Sequence, residues 1–372
     1  MTTAADSVGA LVLSRPAATR TTSRFSVDVG ALAPDGWDRM VAEFDDVTYE
    51  QTAAWVDGRW GAHRSSGLVI RDGGEPIAAA RTILLDWPGL RRGVAYVKFG
   101  PFWRRQGRTP EPDVYRAAVE ALLDEYCARR GYYLTIVPRP VPEHHARECA
   151  LLAGLGFAIR RPMLDPNRYL VDVGLDPDAA LRSLDQKWRY NLRHALRTGI
   201  ECEVVDDVSA IPTFTALHRG MVARKRFRDT DAVHLLPELA ARLPSSMRPR
   251  VVLASHEGAA IAGAVLAACG DTAYYMYGAT EDAALPLKAG YALHWWIVNW
   301  LPALGVRWYD LGGEAGEPGL RQFKKGLVGK RGAIVATPGE FDRWSGLRAR
   351  LAGDAIYAVR AVQRRLRRQR PG

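Results

Sequence analysis

The feature that most constrains the fold of this chain is the repeat of one element order in its two halves. Each half predicts a strand hairpin, a further strand, a long helix and then a strand that runs into a loop. The hairpins are similar, with EPIAAARTILL at 75–85 in the first half and GAAIAGAVLAAC at 258–269 in the second. Repeated units of this kind bury their apolar faces against each other and against flanking helices. The sequence therefore predicts an α/β (α+β) fold of two similar domains, each a mixed sheet with flanking helices.

Length and composition are compatible with this arrangement. In 372 residues, 48% of them hydrophobic, there is room for two ordinary domains. We predict a flexible leader at 1–24, a first domain at 25–163, a second domain at 164–338 and a basic C-terminal helix and tail at 339–372. No apolar run approaches the roughly 18 residues that span a bilayer. The four cysteines form no CxxC pair, which indicates reduced thiols and a cytoplasmic protein.

The positive charge is concentrated at the C-terminus. The formal net charge is +10, and residues 342–372 hold nine arginines against two aspartates, a net +7. Leu351, Ile356, Val359 and Val362 are spaced among these arginines as in a helix with one basic face. Such a face is either simply solvated or a site for an RNA backbone or an anionic membrane surface. Because unpaired arginines repel one another, their clustering favours a binding surface.

A glycine-rich segment with paired lysines, WYDLGGEAGEPGLRQFKKGLVGK, occupies residues 308–330. It is not a Walker loop, because Arg331 stands where Ser or Thr would follow the lysine, and it lacks the G-x-G-x-x-G pattern. Glycine permits close approach of a ligand to the backbone, and Phe323 can be buried beneath the lysines. A lysine held in a strand-end loop can neutralise an oxyanion or a phosphate. The alternative is a solvated surface loop.

A second cationic feature is the predicted helix QKWRYNLRHALRTG at 186–199. Trp188, Leu192 and Ala195 form an apolar face that should be buried. The remaining surface is rich in cations without interleaved carboxylates, which suits phosphates, although a solvated face would show the same pattern. The candidate phosphate- or tRNA-binding residues are Lys187, Arg189, Arg193 and Arg197.

Two further segments contain candidate binding residues. The basic cluster ARKRFRD includes Arg224 and Arg228. In the strand YYMYG, alternation places Tyr275 and Tyr277 on one face, and this face either belongs to the core or lines a cleft with its hydroxyls. His294, in an apolar helix, is interpreted as a core residue. No Ser-His-Asp order, cysteine pair or carboxylate-rich motif stands out, so no metal is predicted.

Taken together, these segments resemble the Fem family (FemABX) of aminoacyl-tRNA-dependent peptidyltransferases, which build peptidoglycan cross-bridges. The similarity follows KWRYNLRHALRTGIECEVV, YYMYGAT and GYALHWWIVNWLPALGVRWYDLGGEAGEPGLRQFKKGLVG in order and spacing. It is looser in QTAAWVDGR and YVKFGPFW, and it covers about residues 45–335. The resemblance implies two tandem acetyltransferase-like (GNAT-like) domains with a cleft between them. The short segment between Arg228 and Val251 implies that the coiled-coil arm of some members is absent.

The resemblance also implies roles by position. Lys324, with Phe323 beside it, would support acyl transfer as the catalytic pair. Cations in the cleft would hold the pyrophosphate of a nucleotide- or lipid-linked muropeptide, although Arg228 stands where the family has a tyrosine. Together with Lys325, the predicted substrate-binding residues are Arg59, Arg224, Arg228, Tyr275 and Tyr277.

The predicted function is aminoacyl transfer from charged tRNA to an amine of a peptidoglycan precursor or of a related small peptide or natural product. An aminoacyl ester is already activated, so the reaction needs alignment and oxyanion stabilisation rather than a nucleophile, a metal or ATP. We expect no cofactor, with charged tRNA as co-substrate. We also expect a monomer, whose residues 342–372 could contact an anionic membrane.

Two alternatives remain open at this point. The first is an acyl-CoA-dependent GNAT N-acyltransferase, for which LKAGYA at 287–292 is a weak pyrophosphate loop because Leu287 replaces the usual Arg or Gln. The second is a non-catalytic protein that binds nucleic acid or a membrane surface through its basic tail.

Overall fold

A computed structural model of the chain describes residues 18–21, 24–87, 92–163, 165–205, 208–225, 232–314 and 316–369. The strands of the first half are β1 (Ala18–Thr21), β2 (Ser26–Val29), β3 (Ser65–Asp72), β4 (Glu75–Asp86), β5 (Gly93–Lys98), β6 (Tyr133–Val137) and β7 (Ala158–Arg161). Its helices are α1 (Pro34–Val41), α2 (Ala53–Trp60), α3 (Pro112–Leu122) and α4 (His145–Gly154). A π-helical turn, Leu123–Arg129, continues α3.

The second half follows the predicted order of elements. Its strands are β8 (Asn167–Asp172), β9 (Glu201–Val205), β10 (Arg250–His256), β11 (Ala259–Cys269), β12 (Thr272–Thr280), β13 (Trp308–Asp310), β14 (Ala333–Ala336) and β15 (Glu340–Arg343). Its helices are α5 (Pro177–Ser183), α6 (Gln186–Ala195), α7 (Ala210–Lys225), α8 (Leu236–Arg242), α9 (Ala289–Trp300), α10 (Pro318–Val328) and α11 (Leu347–Gln369).

The two halves build two mixed sheets on the same plan. The strand order is β1–β2–β3–β4–β5–β6–β15–β7 in the first sheet and β9–β10–β11–β12–β13–β8–β14 in the second. Each sheet has one parallel pair, β5–β6 in the first and β12–β13 in the second. A parallel pair needs a crossover connection, which contains α3 in the first sheet and α9 in the second. The predicted architecture of two similar domains, each a mixed sheet with flanking helices, is confirmed.

One position in the first sheet is filled from the far end of the chain. β15 lies between β6 and β7, where Phe341 pairs with Ile136 on one side and Ile159 on the other. The equivalent position of the second sheet, beside β13, is filled by β8. After β15 the chain continues into α11, which packs on β5 and β6. The sequence predicts only a helix and tail after residue 338, so this return to the first sheet is a structural finding.

An apolar cluster joins the two domains. Trp37, Phe44 and Phe102 of the first domain pack in one cluster with Leu239 and Tyr274 of the second. All five side chains are buried. A shared apolar core of this kind holds two domains in a fixed orientation, because relative motion would expose it to water.

Beside this apolar contact, a cluster of ion pairs links the two domains. Asp271, in the β11–β12 turn, accepts hydrogen bonds of 2.6 Å from Nη2 of Arg104 and from Nη2 of Arg139, both in the first domain. Burial alone would raise the pKa of Asp271, but Arg139 and Arg104 outweigh it and lower that pKa to about 2. Asp271 N also donates to Asp45 O at 2.9 Å. A Cβ at Gly270 would lie 2.2 Å from this oxygen, so only glycine fits there.

We predict that Asp271→Ala lowers the free energy of unfolding by about 3 kcal/mol, because the buried guanidinium group of Arg139 loses its carboxylate partner and the partly buried Arg104 keeps only Asp46 at 4.0 Å. Urea denaturation measures the change. Glu120→Ala, which removes an exposed carboxylate from α3, is the matched control and should cost less than about 0.5 kcal/mol. A loss below about 1 kcal/mol for Asp271→Ala would show that this cluster does not hold the domains together.

Candidate active site

A cavity of about 550 Å³ lies between the two domains. This is within the range of pockets that bind small molecules, about 300–1,000 Å³. Its walls come from α2, β4, β5, the β7–β8 connection, β12, the segment after β13, and α11. Its charged lining residues are Glu50, Arg59, Lys98, Arg161, Asp165, Arg168, Glu340 and Arg360. Three of the five lining cations are in ion pairs, Lys98 with Glu50, Arg161 with Glu340 and Arg168 with Asp310, and the lining itself has two more cations than carboxylates, an excess that attracts anionic groups.

The buried amide of Gln51 positions the first-domain wall. Its Nε2 donates to Lys98 O at 2.7 Å, and its Oε1 accepts from the backbone N of Arg81 at 2.7 Å. A Cβ at Gly100 would lie 3.0 Å from the amide carbon of Gln51. The QTAAW and YVKFGP segments therefore form one packed unit, in which the end of β5 is held against the start of α2.

Lys98 and Glu50 form an ion pair on this wall. Lys98 Nζ lies 2.5 Å from Glu50 Oε1. The side chain of Lys98 is 37% exposed and that of Glu50 only 9%, so the lysine is the accessible partner. Neither residue is predicted from the sequence, because nothing near Lys98 in the chain indicates that β5 ends at a cavity.

Arg168 and Asp310 form the opposite wall. Arg168 Nη2 donates to Asp310 Oδ2 at 2.8 Å, and Gly312 N donates to Asp310 Oδ1 at 2.8 Å. The pairing of Asp310 with Leu170 between β13 and β8 brings the arginine to this carboxylate. Burial alone would lower the pKa of Arg168, but Asp310 outweighs it and raises that pKa, so the guanidinium stays charged. The carboxylate thus shapes the DLGG turn and orients a cation that the sequence analysis misses.

Lys324 lies behind this wall rather than in it. The prediction of a loop is wrong here, because the FKKG segment belongs to α10, which begins at Pro318, a residue well suited to the first helical turn. Lys324 is 5% exposed, and its Nζ donates to Leu311 O at 2.5 Å and to Gly313 O. Gly313 itself lines the cavity. One residue therefore separates the ammonium group from the cavity.

The acidity of Lys324 is shifted by its surroundings. Burial, and then the positive charge of Arg168, lower the pKa of Lys324 to about 8, against the opposing effect of Asp310. The side chain is therefore mostly protonated at neutral pH and loses its charge as the pH rises through about 8. A buried cation interacts strongly with negative charge that develops nearby.

Phe323 packs in an aromatic cluster on the other side of α10. Its ring centroid lies 5.8 Å from that of Trp188 and 5.3 Å from that of His294. Burial, and then the charge of Lys324, lower the pKa of His294 to about 3. The ring is therefore neutral, and its Nδ1 shares a hydrogen bond of 3.0 Å with the hydroxyl of Tyr309. His294 is a hydrogen-bonded core residue.

Tyr275 and Tyr277 do not share a strand face, contrary to the alternation that the sequence predicts. Tyr277 pairs with Val265 and Tyr275 with Leu266, so Met276 is an extra residue in a β-bulge. Tyr277 and Met276 line the cavity. The ring of Tyr275 instead packs in the aromatic cluster of the second domain.

The other predicted substrate-binding residues lie in different places. Arg59, on α2, lines the cavity. Arg224 forms an ion pair of 3.0 Å with Asp282, outside the cavity lining. Lys325 is exposed on α10. Arg228 lies outside the described residues.

The predicted cationic helix is α6. Its apolar face is buried, and a Cβ at Gly326 of α10 would lie 2.9 Å from the Trp188 ring, so the two helices pack closely. Arg189 is partly buried and donates to Leu184 O at 2.5 Å, which makes it a structural residue. The exposed candidates are Lys187 on α6, Arg193 on α6 and Arg197 just after it. These three lie on the surface of the second domain, outside the cavity lining.

The C-terminal segment supplies a wall that sequence reasoning misses. Glu340 of β15 and Tyr357 and Arg360 of α11 line the cavity. Arg161 Nε lies 3.2 Å from a Glu340 carboxylate oxygen, and the Arg161 guanidinium carbon lies 3.4 Å from the Tyr357 ring centroid. The Arg360 guanidinium carbon lies 5.7 Å from the ring centroid of Trp60. The arginine spacing indicates a helix, but which side faces the cavity depends on how β15 pairs.

Neither a metal centre nor a membrane span emerges from the part of the chain that the structure describes. Within it, no group of three or more His, Cys, Asp or Glu side chains could hold a metal ion. Among its helices, none is long and apolar enough to cross a bilayer.

Comparisons with known proteins agree with this architecture. Residues 182–325 match the model of the acetyltransferase (GNAT) domain family. The solved structure of FemX is similar, with a TM-score of 0.68, 17% identity and coverage of 84% of this chain and 96% of FemX. L-PGS from Bacillus licheniformis is similar with a TM-score of 0.56, 13% identity and coverage of 86% of this chain and 97% of that chain. The C-terminal domain of an Agrobacterium fabrum protein named as a lysylphosphatidylglycerol synthetase has a TM-score of 0.55, 16% identity and coverage of 86% of this chain and 95% of that chain.

The comparison with curated proteins finds no match. The family match and the structural similarity together support an acyltransferase of GNAT fold. The chain therefore has the tandem GNAT-like fold of the Fem family, as the resemblance in its sequence predicts.

Proposed function

We propose that this protein is an aminoacyltransferase that moves an aminoacyl group from charged tRNA to the amine of an acceptor bound in the interdomain cavity. The observation that carries the proposal is the bond from the buried Lys324 ammonium to the carbonyl of Gly313, a residue of the cavity wall. A fixed cation thus lies one residue from a pocket that suits an anionic acceptor. The similarity of fold to FemX supports the same class of reaction.

The cavity is assigned to the acceptor. Lys98, Arg59 and Arg360 supply positive charge around it, and Trp60 and Tyr277 supply flat apolar surface. Such a lining suits phosphate or carboxylate groups attached to a larger organic body. The acceptor is an amine of a peptidoglycan precursor or of a related small peptide or natural product.

The chemistry needs placement rather than a protein nucleophile. The acceptor nitrogen attacks the carbonyl carbon of the aminoacyl ester and forms the new C–N bond. The bond from that carbon to the ribose oxygen then breaks, the ribose oxygen takes up a proton to become a hydroxyl, and the nitrogen loses one. A lysine ammonium has three N–H donors. Two serve the Leu311 and Gly313 carbonyls, and we assign the positive charge of the ammonium group, held one residue behind the cavity wall, to stabilisation of the oxyanion of the tetrahedral intermediate.

The tRNA is assigned to the exposed cations on and after α6. Lys187, Arg193 and Arg197 are exposed on the domain that also contains Lys324. Lysine and arginine side chains bind a phosphate backbone with a strong dependence on salt.

A donor comparison tests the proposal. The full chain receives one labelled acyl group either as aminoacyl-tRNA or as acyl-CoA, together with a panel of amines that includes a muropeptide and small peptides. We expect transfer from charged tRNA. Transfer from acyl-CoA with none from any charged tRNA would establish the alternative N-acyltransferase, and no transfer from either donor would favour a binding protein.

Replacing the buried lysine should remove most of the activity. Lys324→Ala is predicted to lower kcat by about 10²-fold or more, the scale for loss of an oxyanion-stabilising donor. Lys325→Ala removes a neighbouring but exposed ammonium group and should stay within about twofold of the wild type. Steady-state kinetics measures both, with circular dichroism to confirm folding. A near-wild-type rate for Lys324→Ala would exclude the lysine from the mechanism.

The pH dependence separates a catalytic lysine from a structural one. The pKa of Lys324 is lowered to about 8, so the cation that stabilises the oxyanion is lost as the pH rises through that value. We therefore predict that the ratio of wild-type to Lys324→Ala single-turnover rates falls between pH 7 and pH 9. Taking the ratio removes the titration of the acceptor amine, which both proteins share. A ratio that does not change with pH would assign Lys324 to the support of the loop alone.

A further inference from the structure

The outward face of α11 carries apolar side chains in contact with water. Leu347, Leu351, Val359 and Val362 are 67%, 59%, 45% and 54% exposed. Leu347, Leu351 and Val362 recur at helical spacing along one side. These four residues are called the outer stripe. Exposed apolar side chains along one side of a surface helix are costly to keep in water, and they indicate an interaction surface.

The opposite face of the helix fixes the stripe in place. Ala349 and Ile356 are buried, and a Cβ at Gly353 would lie 2.4 Å from the Tyr133 ring. Ile356 packs with Val94 and Tyr133 of the first sheet. Because the helix is held by this face, the outer stripe keeps a defined orientation on the first domain.

Positive charge accompanies the stripe. Arg348 is exposed beside Leu347, and Arg350, whose side chain is 49% exposed, has its Nε 3.7 Å from a carboxylate oxygen of Asp354. In the sequence, residues 342–372 carry a net charge of +7. An apolar stripe with flanking arginines is the pattern of helices that lie in the interface of an anionic bilayer.

A second element lies next to the helix. The β4–β5 hairpin reaches α11 at Gly93, where a Cβ would lie 2.9 Å from Ile356 Cδ1. Trp87, whose N donates to Arg92 O at 2.9 Å across the hairpin, is 36% exposed. Tryptophan favours the headgroup region of a membrane, where its ring is buried among apolar groups and its indole N–H remains hydrated.

We propose that the outer stripe, with its arginines and Trp87, docks this protein on an anionic bilayer surface. A nucleic-acid backbone would use the arginines but would leave the apolar side chains in water, whereas a bilayer interface accommodates both. The same helix lines the cavity through Tyr357 and Arg360, so docking holds that wall of the cavity close to the lipid headgroups.

Vesicle co-sedimentation of the full chain tests this proposal. Binding is expected to phosphatidylcholine vesicles that contain phosphatidylglycerol and not to phosphatidylcholine alone, and added salt should weaken it. The double variant Leu351→Gln/Val362→Gln should bind at least about tenfold more weakly, since two apolar contacts are lost. Point variants are used because removal of α11 would uncover Val94 and Tyr133 of the first sheet, on which Ile356 packs, and would remove one wall of the cavity.

The matched control changes equally exposed apolar residues elsewhere. Leu196 and Leu285 are 61% and 56% exposed, so Leu196→Gln/Leu285→Gln should bind vesicles like the wild type. The proposal is overturned if the wild type does not bind anionic vesicles. It is equally overturned if Leu351→Gln/Val362→Gln binds them as tightly as Leu196→Gln/Leu285→Gln does. It is also overturned if Arg348→Gln weakens tRNA binding but not vesicle binding, or if the stripe instead mediates self-association that the first double variant abolishes. Vesicle binding is measured without any acyl-transfer reaction, so a failure of this proposal can be distinguished from a failure of the proposed activity.

Discussion

The carboxylate of Asp271 is the interaction on which the rest of the structure depends. It joins Arg104 and Arg139 of the first domain to the β11–β12 turn of the second, beside an apolar cluster that both domains share. The carboxylate is only partly buried, but separating the domains would take it away from both arginines and would leave the buried Arg139 without a carboxylate partner. The interdomain cavity is therefore a fixed feature of the fold.

The chemistry that we propose follows from what surrounds this cavity. One wall presents Lys98 and the other Arg168, and the Gly313 carbonyl connects the second wall to the buried ammonium of Lys324. Cations at the surface of the cavity can bind an acceptor, whereas a cation behind the wall is shielded from water and acts on charge that appears during the reaction. In this proposal, the cations that line the cavity bind the acceptor, and the buried cation Lys324 stabilises the negative charge of the intermediate.

The sequence predicts correctly those parts of the fold that depend on local patterns of residues. The repeated order of hairpins and helices predicts both sheets, and the spacing of Trp188 predicts the buried face of α6. The sequence does not predict the position of an element where that position depends on pairing between distant segments of the chain. No local signal places β15 between β6 and β7, or brings Arg168 to Asp310 through the β8–β13 register. The bulge at Met276 likewise depends on β11, its partner strand.

Amide hydrogen exchange with an aminoacyl-tRNA analogue that has a non-transferable amide link tests whether the aminoacyl group binds beside Lys324. If the aminoacyl end is held against the wall supported by Lys324, exchange should slow at residues 311–314 and across α10. Slower exchange at 186–197 should accompany it, because the tRNA backbone is assigned to that surface. Protection at 186–197 with none at 311–314 or in α10 would contradict the account, since the aminoacyl group would then lie away from Lys324.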